Sequence, residues 1–324
     1  MSARAWHVTG KRTVALLPVE HTVPGAGEMQ VRTEVSALSA GTERLLFRDE
    51  VEGEVALDAA FASSTSRFPL RTGYSAVGRV TALGAGVDAG WLGARVFAFR
   101  AHQDVWNARV DEVLRVPDDV PAERAALLAN LETAVSLVMD GAPLLGESVA
   151  VVGLGVVGQF VTAILSRVGL GPVLTDDARG DRLELAARAW NAKDRATDGE
   201  ADLVFELTGQ PEALPKALAL ARREGRVVVG SWYGTRSAPL SFGTQVHRGR
   251  QTVLFSQVAE LASGLTGRFT KERRFGIALD WLRKLPLEQI VTHRIPFTEG
   301  ERAWALLDTS PEGCLQIVLT YRGV

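Results

Sequence analysis

The 324-residue chain reads as an α/β protein of two domains, a β-rich one followed by a doubly wound parallel sheet. Three observations carry that expectation. Residues 4–121 hold short β-branched or aromatic runs separated by Gly and Pro. Residues 122–257 alternate apolar strand patterns with helical ones, as a parallel sheet covered by helices on both faces requires. The chain then ends on another strand pattern, residues 315–320, which could return to pair with the first domain. The expected boundaries are 1–124 with 259–324 for the first domain and 125–258 for the second.

In chain order, residues 5–8, 30–35, 76–80 and 95–99 are the strands of the first domain. Residues 50–66, acidic and then small and polar, read as a loop with room for one helical turn. A helix follows over 122–140, with Pro121 set to start it and Gly141 to stop it. Strands at 148–152, 172–175, 203–206, 226–230 and 252–255 enclose helices at 158–167, 181–190 and 212–222. Two more helices, 273–284 and 300–307, precede the last strand. The uncharged run 148–166 approaches the length of a membrane span. Three glycines interrupt it, and its β-branched first half gives way to a helical second half, so it reads as a buried strand, a turn and a helix.

Charge and cysteine usage narrow the function classes. With 36 Lys and Arg against 38 Asp and Glu, the net charge of −2 offers no basic excess for nucleic acid or an anionic membrane. The one cysteine, Cys314, cannot make an internal disulfide or a Cys-rich zinc site, and its alternating setting reads as a small buried hydrophobe. Residues 1–10 show no apolar run or cleavage pattern, so a cytoplasmic protein is expected. The basic cluster His247-Arg248-Gly249-Arg250 reads as a solvated face.

The strand 149–152 leads into Gly153-Leu154-Gly155-Val156-Val157-Gly158 and then a helix. In this context Gly153 permits the tight turn, Gly155 lets a pyrophosphate approach the backbone, and Gly158 lets the helix pack on the strand. The helix start around Val156 and Val157 offers free N–H groups to the phosphates. The next strand ends at Asp176, at the distance expected for a carboxylate that accepts the adenosine ribose hydroxyls. Asp176 and the following Asp177 favour NAD over NADP, while Arg179 is near enough to turn toward a 2′-phosphate.

In its order of parts the chain resembles the medium-chain dehydrogenase/reductase superfamily over nearly its whole length. Ser39-Ala40-Gly41-Thr42-Glu43 resembles the family's Cys-Gly-Thr-Asp segment, and Gly73-Tyr74-Ser75-Ala76-Val77-Gly78-Arg79-Val80 its Gly-His-Glu-x-x-Gly-x-Val. Leu131-Glu132-Thr133-Ala134 resembles the Glu-Pro-Leu/Ala stretch of polyol-type members. Glu206-Leu207-Thr208-Gly209 and Gly225-Arg226-Val227-Val228-Val229-Gly230 match later landmarks. The resemblance implies a GroES-like β-rich catalytic domain and a Rossmann NAD(P)-binding domain. Residues 36–43, with the Gly-Tyr-Ser segment, resemble the branch that holds the bacteriochlorophyllide hydroxyethyl dehydrogenases.

The departures set the expected mechanism. Where zinc members carry a Cys and a His ligand, this chain has Ala40 and Tyr74; the neighbouring Glu is Ser75, and only Glu132 survives. The four-cysteine structural zinc lobe has no counterpart, and the five His residues include no H-x-x-x-H pair, so no metal is expected. Hydrogen-bond donors must then carry the charge of a developing oxyanion. The resemblance points to Tyr74 as acid, unless it is a half-buried aromatic, with Thr42 as a relay. It also points to Glu132, unless that is the partner of Arg124 or another base. His102, in a loop after a strand, is a second relay candidate or a surface residue.

Residues after the later strands should line the cofactor crevice. Thr208 and Gly209 sit there, as do Ser231 and Tyr233, and Ser256 and Gln257. The amides after these strands should hold the nicotinamide carboxamide, while Trp232 and Tyr233 wall a substrate pocket. The expected activity is zinc-independent, NAD(P)-dependent interconversion of a secondary alcohol and a ketone. An enone or quinone reductase and a non-catalytic dinucleotide-binding protein are the alternatives. A small molecule is the expected partner, a homodimer is allowed, and neither nucleic acid nor membrane is expected.

Overall fold

The computed structural model describes residues 3–51, 53, 65–194 and 197–321. They divide into two compact units, one built from the chain up to Ala129 together with the segment from Leu287 onward, the other from Asn130–Pro286. Residues 259–286, grouped with the first domain in the sequence reading, cluster with the second unit. Most of the loop expected over 50–66 lies outside the described residues.

The first unit opens with β1 (Ala3–Gly10), β2 (Thr13–Val19), β3 (Glu28–Ala37), α1 (Thr42–Arg48) and β4 (Leu70–Arg71). It continues with β5 (Ala76–Leu83), β6 (Arg95–Ala98), β7 (Val105–Arg109), β8 (Leu114–Arg115) and α2 (Ala122–Ala125). The second unit contains most of α3 (Leu128–Gly141), then β9 (Val149–Val152), α4 (Val156–Leu165), β10 (Val173–Asp176) and α5 (Gly180–Trp190). Next come β11 (Lys193–Asp194), β12 (Ala201–Glu206), α6 (Leu214–Leu220), β13 (Ala221–Val229), α7 (Gln245–Gly249), β14 (Thr252–Phe255) and α8 (Lys271–Lys284). The return to the first unit is β15 (Val291–Pro296), α9 (Gly300–Thr309) and β16 (Gln316–Thr320).

In the first unit β2-β1-β4 form a small sheet, and β15-β16-β3-β5-β6-β8 a larger one in which β7 also pairs with β3. The C-terminal strand does return: β16 runs antiparallel to β3, with Leu319 opposite Ser36. The return elements also supply the core. Trp6, Phe297, Trp304 and Leu319 pack in one cluster, and the Trp6 indole N–H donates to Phe297 O at 2.8 Å. Each large apolar side chain so buried is worth about 1.5–3 kcal/mol. Gly300 is required at the start of α9, since a Cβ there would lie 2.2 Å from the Trp6 ring.

The second unit is a six-stranded parallel sheet in the order β11-β10-β9-β12-β13-β14. Asp176, Val152, Glu206, Val229 and Phe255 line up across it, one per strand, at the C-terminal edge. The run 148–166 resolves into β9 and α4, and among the described residues no helix is long and apolar enough to cross a membrane.

Local context overrides the sequence pattern in three places. The helix expected over 122–140 breaks after Ala125, where the Ser75 hydroxyl donates to Ala126 O at 2.7 Å and takes a helical carbonyl. The helix expected over 212–222 ends at Leu220, because Ala221 already pairs with Ala201 and pulls the charged stretch 222–225 into β13. Strand β2 escapes a sequence reading because it carries Pro18, which is tolerated on an edge where no ladder N–H is needed.

Candidate functional site

The glycine turn has the shape its sequence demands. Gly153 takes φ +94°, and a Cβ on it would lie 2.6 Å from Thr208 N. A Cβ on Gly158 would lie 1.9 Å from Gly153 O, so α4 packs against the turn only because that position is glycine. A Cβ on Gly155 would meet nothing within 4 Å; it would project into open space. No side chain caps α4, which leaves its first turn, with Val156 and Val157, to an external acceptor. Two glycines serve the fold and one keeps a space clear, as a bound pyrophosphate needs.

The two aspartates after β10 have different tasks. Asp177 is nearly buried and accepts from Leu154 N at 2.6 Å and from Arg179 N at 2.9 Å, so it braces the glycine turn. Asp176 sits beside Val152 in register, mostly covered, with Lys216 Nζ 2.6 Å from its Oδ2. Arg179, expected to be able to turn toward a phosphate, grips Asp181 instead through Nε and Nη2 at 3.1 and 2.7 Å.

At the ends of β12 and β13 a buried carboxylate organises the loops. Glu206 accepts from Thr208 N at 2.8 Å and from the Tyr233 hydroxyl at 2.6 Å. Burial and the Glu206 carboxylate together push the Tyr233 hydroxyl upward in pKa. Gly209 N donates to Ser231 Oγ at 2.8 Å, tying the two loops together. At Ser256 the expectation of a free amide is corrected, because its N–H donates to Val229 O at 2.9 Å and its hydroxyl to Asp140 at 2.6 Å. Gln257 Oε1 accepts from Ala259 N at 2.6 Å.

In the first unit the candidate acid–base residues fall into two hydrogen-bonded sets. The Tyr74 hydroxyl donates to Ser39 Oγ at 2.7 Å and also hydrogen-bonds Thr42. Burial raises its pKa to about 12, against the pull of Ser39 and Thr42 and with a push from the Glu43 charge. His102 is not a surface residue: it is fully buried, 3.0 Å from Glu43 Oε2 through Nε2 and 2.7 Å from Ser36 Oγ through Nδ1. The carboxylate accepts, so Nε2 carries the proton. Ser36 Oγ lies 2.8 Å from the Tyr321 hydroxyl, which extends the line to four residues. Gly73 makes room for it, with φ +103° and a would-be Cβ 2.6 Å from His102 N.

Glu132 belongs to the second unit and its partner is Arg274, not Arg124. Arg274 also donates to Ser136 Oγ at 3.2 Å and to Val258 O at 2.7 Å. Burial pushes the Glu132 carboxyl up, and Arg274 and Lys271 offset part of that push. The donor set does not fit tetrahedral zinc: positions 40 and 74 are Ala and Tyr, and Glu132 is committed to a guanidinium. Among the described residues no three His, Cys, Asp or Glu side chains gather as a metal site.

Sequence reasoning gave Ser36 and Glu43 only as members of the 36–43 segment and missed Tyr321; what joins all three to His102 is contact in space. Lys216 gave no signal either. Arg274 did give one: it is buried in phase with Ala278 and Leu282, so a charge heads an apolar helical stripe and must have a buried partner.

No family model matches the chain. It is 24% identical to L-threonine 3-dehydrogenase of Anaeromyxobacter dehalogenans, covering 91% of this chain and 93% of that one. It is 22% identical to 2-desacetyl-2-hydroxyethyl bacteriochlorophyllide A dehydrogenase of Cereibacter sphaeroides, covering 99% of each. Among solved structures, an Escherichia coli alcohol dehydrogenase (rspB) with NADH superposes with a TM-score of 0.78 at 17% identity, covering 99% of this chain and 100% of that one. A Sinorhizobium meliloti dehydrogenase described as zinc-binding, bound to NADP, superposes with a TM-score of 0.77 at 16% identity and the same coverage. Over its whole length the chain therefore has the fold of the medium-chain alcohol dehydrogenases, a GroES-like β-rich domain with a Rossmann domain.

Proposed function

We propose that this chain is a zinc-independent NAD(P)-dependent oxidoreductase that interconverts a secondary alcohol and a ketone. The observation that carries the reading is the glycine turn, with Gly155 facing open space and Asp176 in register beside it. The dinucleotide would lie against Gly153, Gly155, Val156, Val157 and Gly158, with its ribose at Asp176. When bound, it supplies or takes up the hydride. Tyr74 then handles the proton: its raised pKa keeps the phenol protonated near neutrality, and it can donate to a ketone oxygen as that oxygen gains charge. Ser39 and Thr42 hold the hydroxyl in place.

The test is direct. Binding should enhance NADH fluorescence, and the protein should oxidise NADH in the presence of some member of a ketone panel. Gly155→Trp should fold, since the new side chain points into open space, yet lose all dinucleotide binding. Binding that survives this substitution would refute the reading. One observation favours a second reading, a dinucleotide-binding protein without turnover: Tyr74, His102 and Glu132 are all hydrogen-bonded inside the protein already. NADH binding with no turnover on ketones, enones or quinones would select it. A homodimer is also proposed and is tested by light scattering. The edge strand β14 supports it, with Leu254 41% and Phe255 65% exposed.

A further inference from the structure

Asp176 closes β10 and, in the reading above, accepts the ribose hydroxyls of the dinucleotide. Its charge does not stand alone. Lys216 Nζ is 2.6 Å from Oδ2, and Lys216 belongs to α6, which follows β12. β9, the strand that carries the glycine turn, lies between β10 and β12. The ammonium thus reaches Asp176 past the strand over which a dinucleotide would lie.

The basic groups close to Asp176 in sequence are occupied. Arg179 holds Asp181 through two nitrogens, and Arg182 lies 3.9 Å from Asp177, which braces Leu154. Lys216 differs in exposure as well as in partner: its side chain is 54% exposed and that of Asp176 is 20% exposed. The pair faces solvent, and an exposed ion pair of this kind is weakly held and easily exchanged.

We propose that Lys216 is the residue that sets the choice between NAD(H) and NADP(H). The inference rests on the dinucleotide reading. A bare carboxylate at this place repels a 2′-phosphate. With an ammonium against it the repulsion is offset, and the flexible four-carbon stem lets Nζ move from the carboxylate to a phosphate without any backbone change. The chain therefore binds both cofactors, NAD(H) through Asp176 and NADP(H) through Lys216.

The experiment is fluorescence titration of the whole protein with NADH and with NADPH, for the wild type, Lys216→Gln and Arg179→Gln. Losing one charge-assisted contact to phosphate should weaken NADPH binding about tenfold or more in Lys216→Gln, with NADH changed by less than about threefold. Wild-type NADPH binding should also fall more steeply with salt than NADH binding. The inference is overturned if Lys216→Gln leaves the NADH to NADPH ratio unchanged, or if Arg179→Gln moves it and Lys216→Gln does not. It is equally overturned if the wild type binds NADH and not NADPH. Wild-type protein that binds neither overturns the dinucleotide reading itself, a result visible before any variant is made.

Discussion

In the first unit Glu43 meets His102 with both side chains fully buried; in the second, Glu132 meets Arg274 with 5% and 2% of the side chains exposed. Both are buried acid–base contacts, yet the partner makes them different devices. An imidazole has a nitrogen on each side, so beyond His102 the line runs on through Nδ1 to Ser36 and Tyr321. A guanidinium does not give up its proton under any ordinary condition. Arg274 spends its donors on Glu132, Ser136 and the carbonyls of Val258 and Glu260, so it clips the segment after β14 to α3. A buried carboxylate thus reveals its task through its partner.

The largest effect should come from splitting the arginine pair. Arg274→Met leaves an uncompensated buried carboxylate, which should cost about 3–5 kcal/mol of stability in urea unfolding. The double variant Glu132→Leu with Arg274→Met should recover most of that loss, because no charge remains to be solvated. If the single variant is as stable as the wild type, the pair is not a structural clip. This also means that Glu132→Gln, which strands a buried guanidinium, tests stability before it tests catalysis.

Next in size is Tyr74→Phe, which deletes one hydroxyl and little packing. If the phenol is the proton donor, turnover should fall about 10²–10³-fold while dinucleotide affinity stays put. The raised pKa adds a direction. Alcohol oxidation needs the phenolate as base, so its rate should climb with pH toward about 12, and ketone reduction should show no such rise. Full turnover in Tyr74→Phe would remove this residue from the mechanism.

The contrast between the two units also decides what could be read from sequence. The glycine turn was legible because its requirements are local: a tight turn, a clear space and a close helix contact fall within six consecutive residues. Asp176 followed from strand spacing. The His102 set was not legible, because residues 36–43, His102 and Tyr321 are three segments distant in sequence, and β16 pairing with β3 is what carries Tyr321 to Ser36. A lone His in a loop carries no mark of burial. The fold class came from the alternation of patterns, while element ends shifted wherever a tertiary bond such as Ser75 to Ala126 competed with the local pattern.

A smaller stability effect should follow from His102→Leu. It strands the Glu43 carboxylate, one oxygen of which already lacks a partner, leaves Ser36 with Tyr321 alone, and should cost about 1–3 kcal/mol. Gly73→Ala should disturb the same ring from outside, since the added methyl would overlap the His102 backbone. A His102→Leu protein of wild-type stability with unchanged turnover would reduce the set to inert packing.

The smallest effect is in pH, and here two Glu–Arg pairs of the second unit should differ in sign. Glu147 takes Arg226 Nη1 and Nη2 at 2.9 and 2.7 Å near the surface, and that hydrogen bonding holds its carboxyl below the ordinary value of 4.5. Its stabilisation is present above 4.5 and is lost as pH falls through the lower, folded value. Burial holds Glu132 above 4.5, so the folded state keeps that proton more tightly than the unfolded chain. Its contribution is therefore present below 4.5 and is lost as pH rises through the higher, folded value. Urea midpoints taken between about pH 2 and 7 should show the wild type losing ground to Glu147→Gln on acidification below the ordinary carboxylate value. Against the Glu132→Leu, Arg274→Met double variant it should gain ground over the same interval. Two gaps moving in the same direction would mean that depth of burial does not separate these pairs, and that Arg274 outweighs the cost of taking Glu132 out of water.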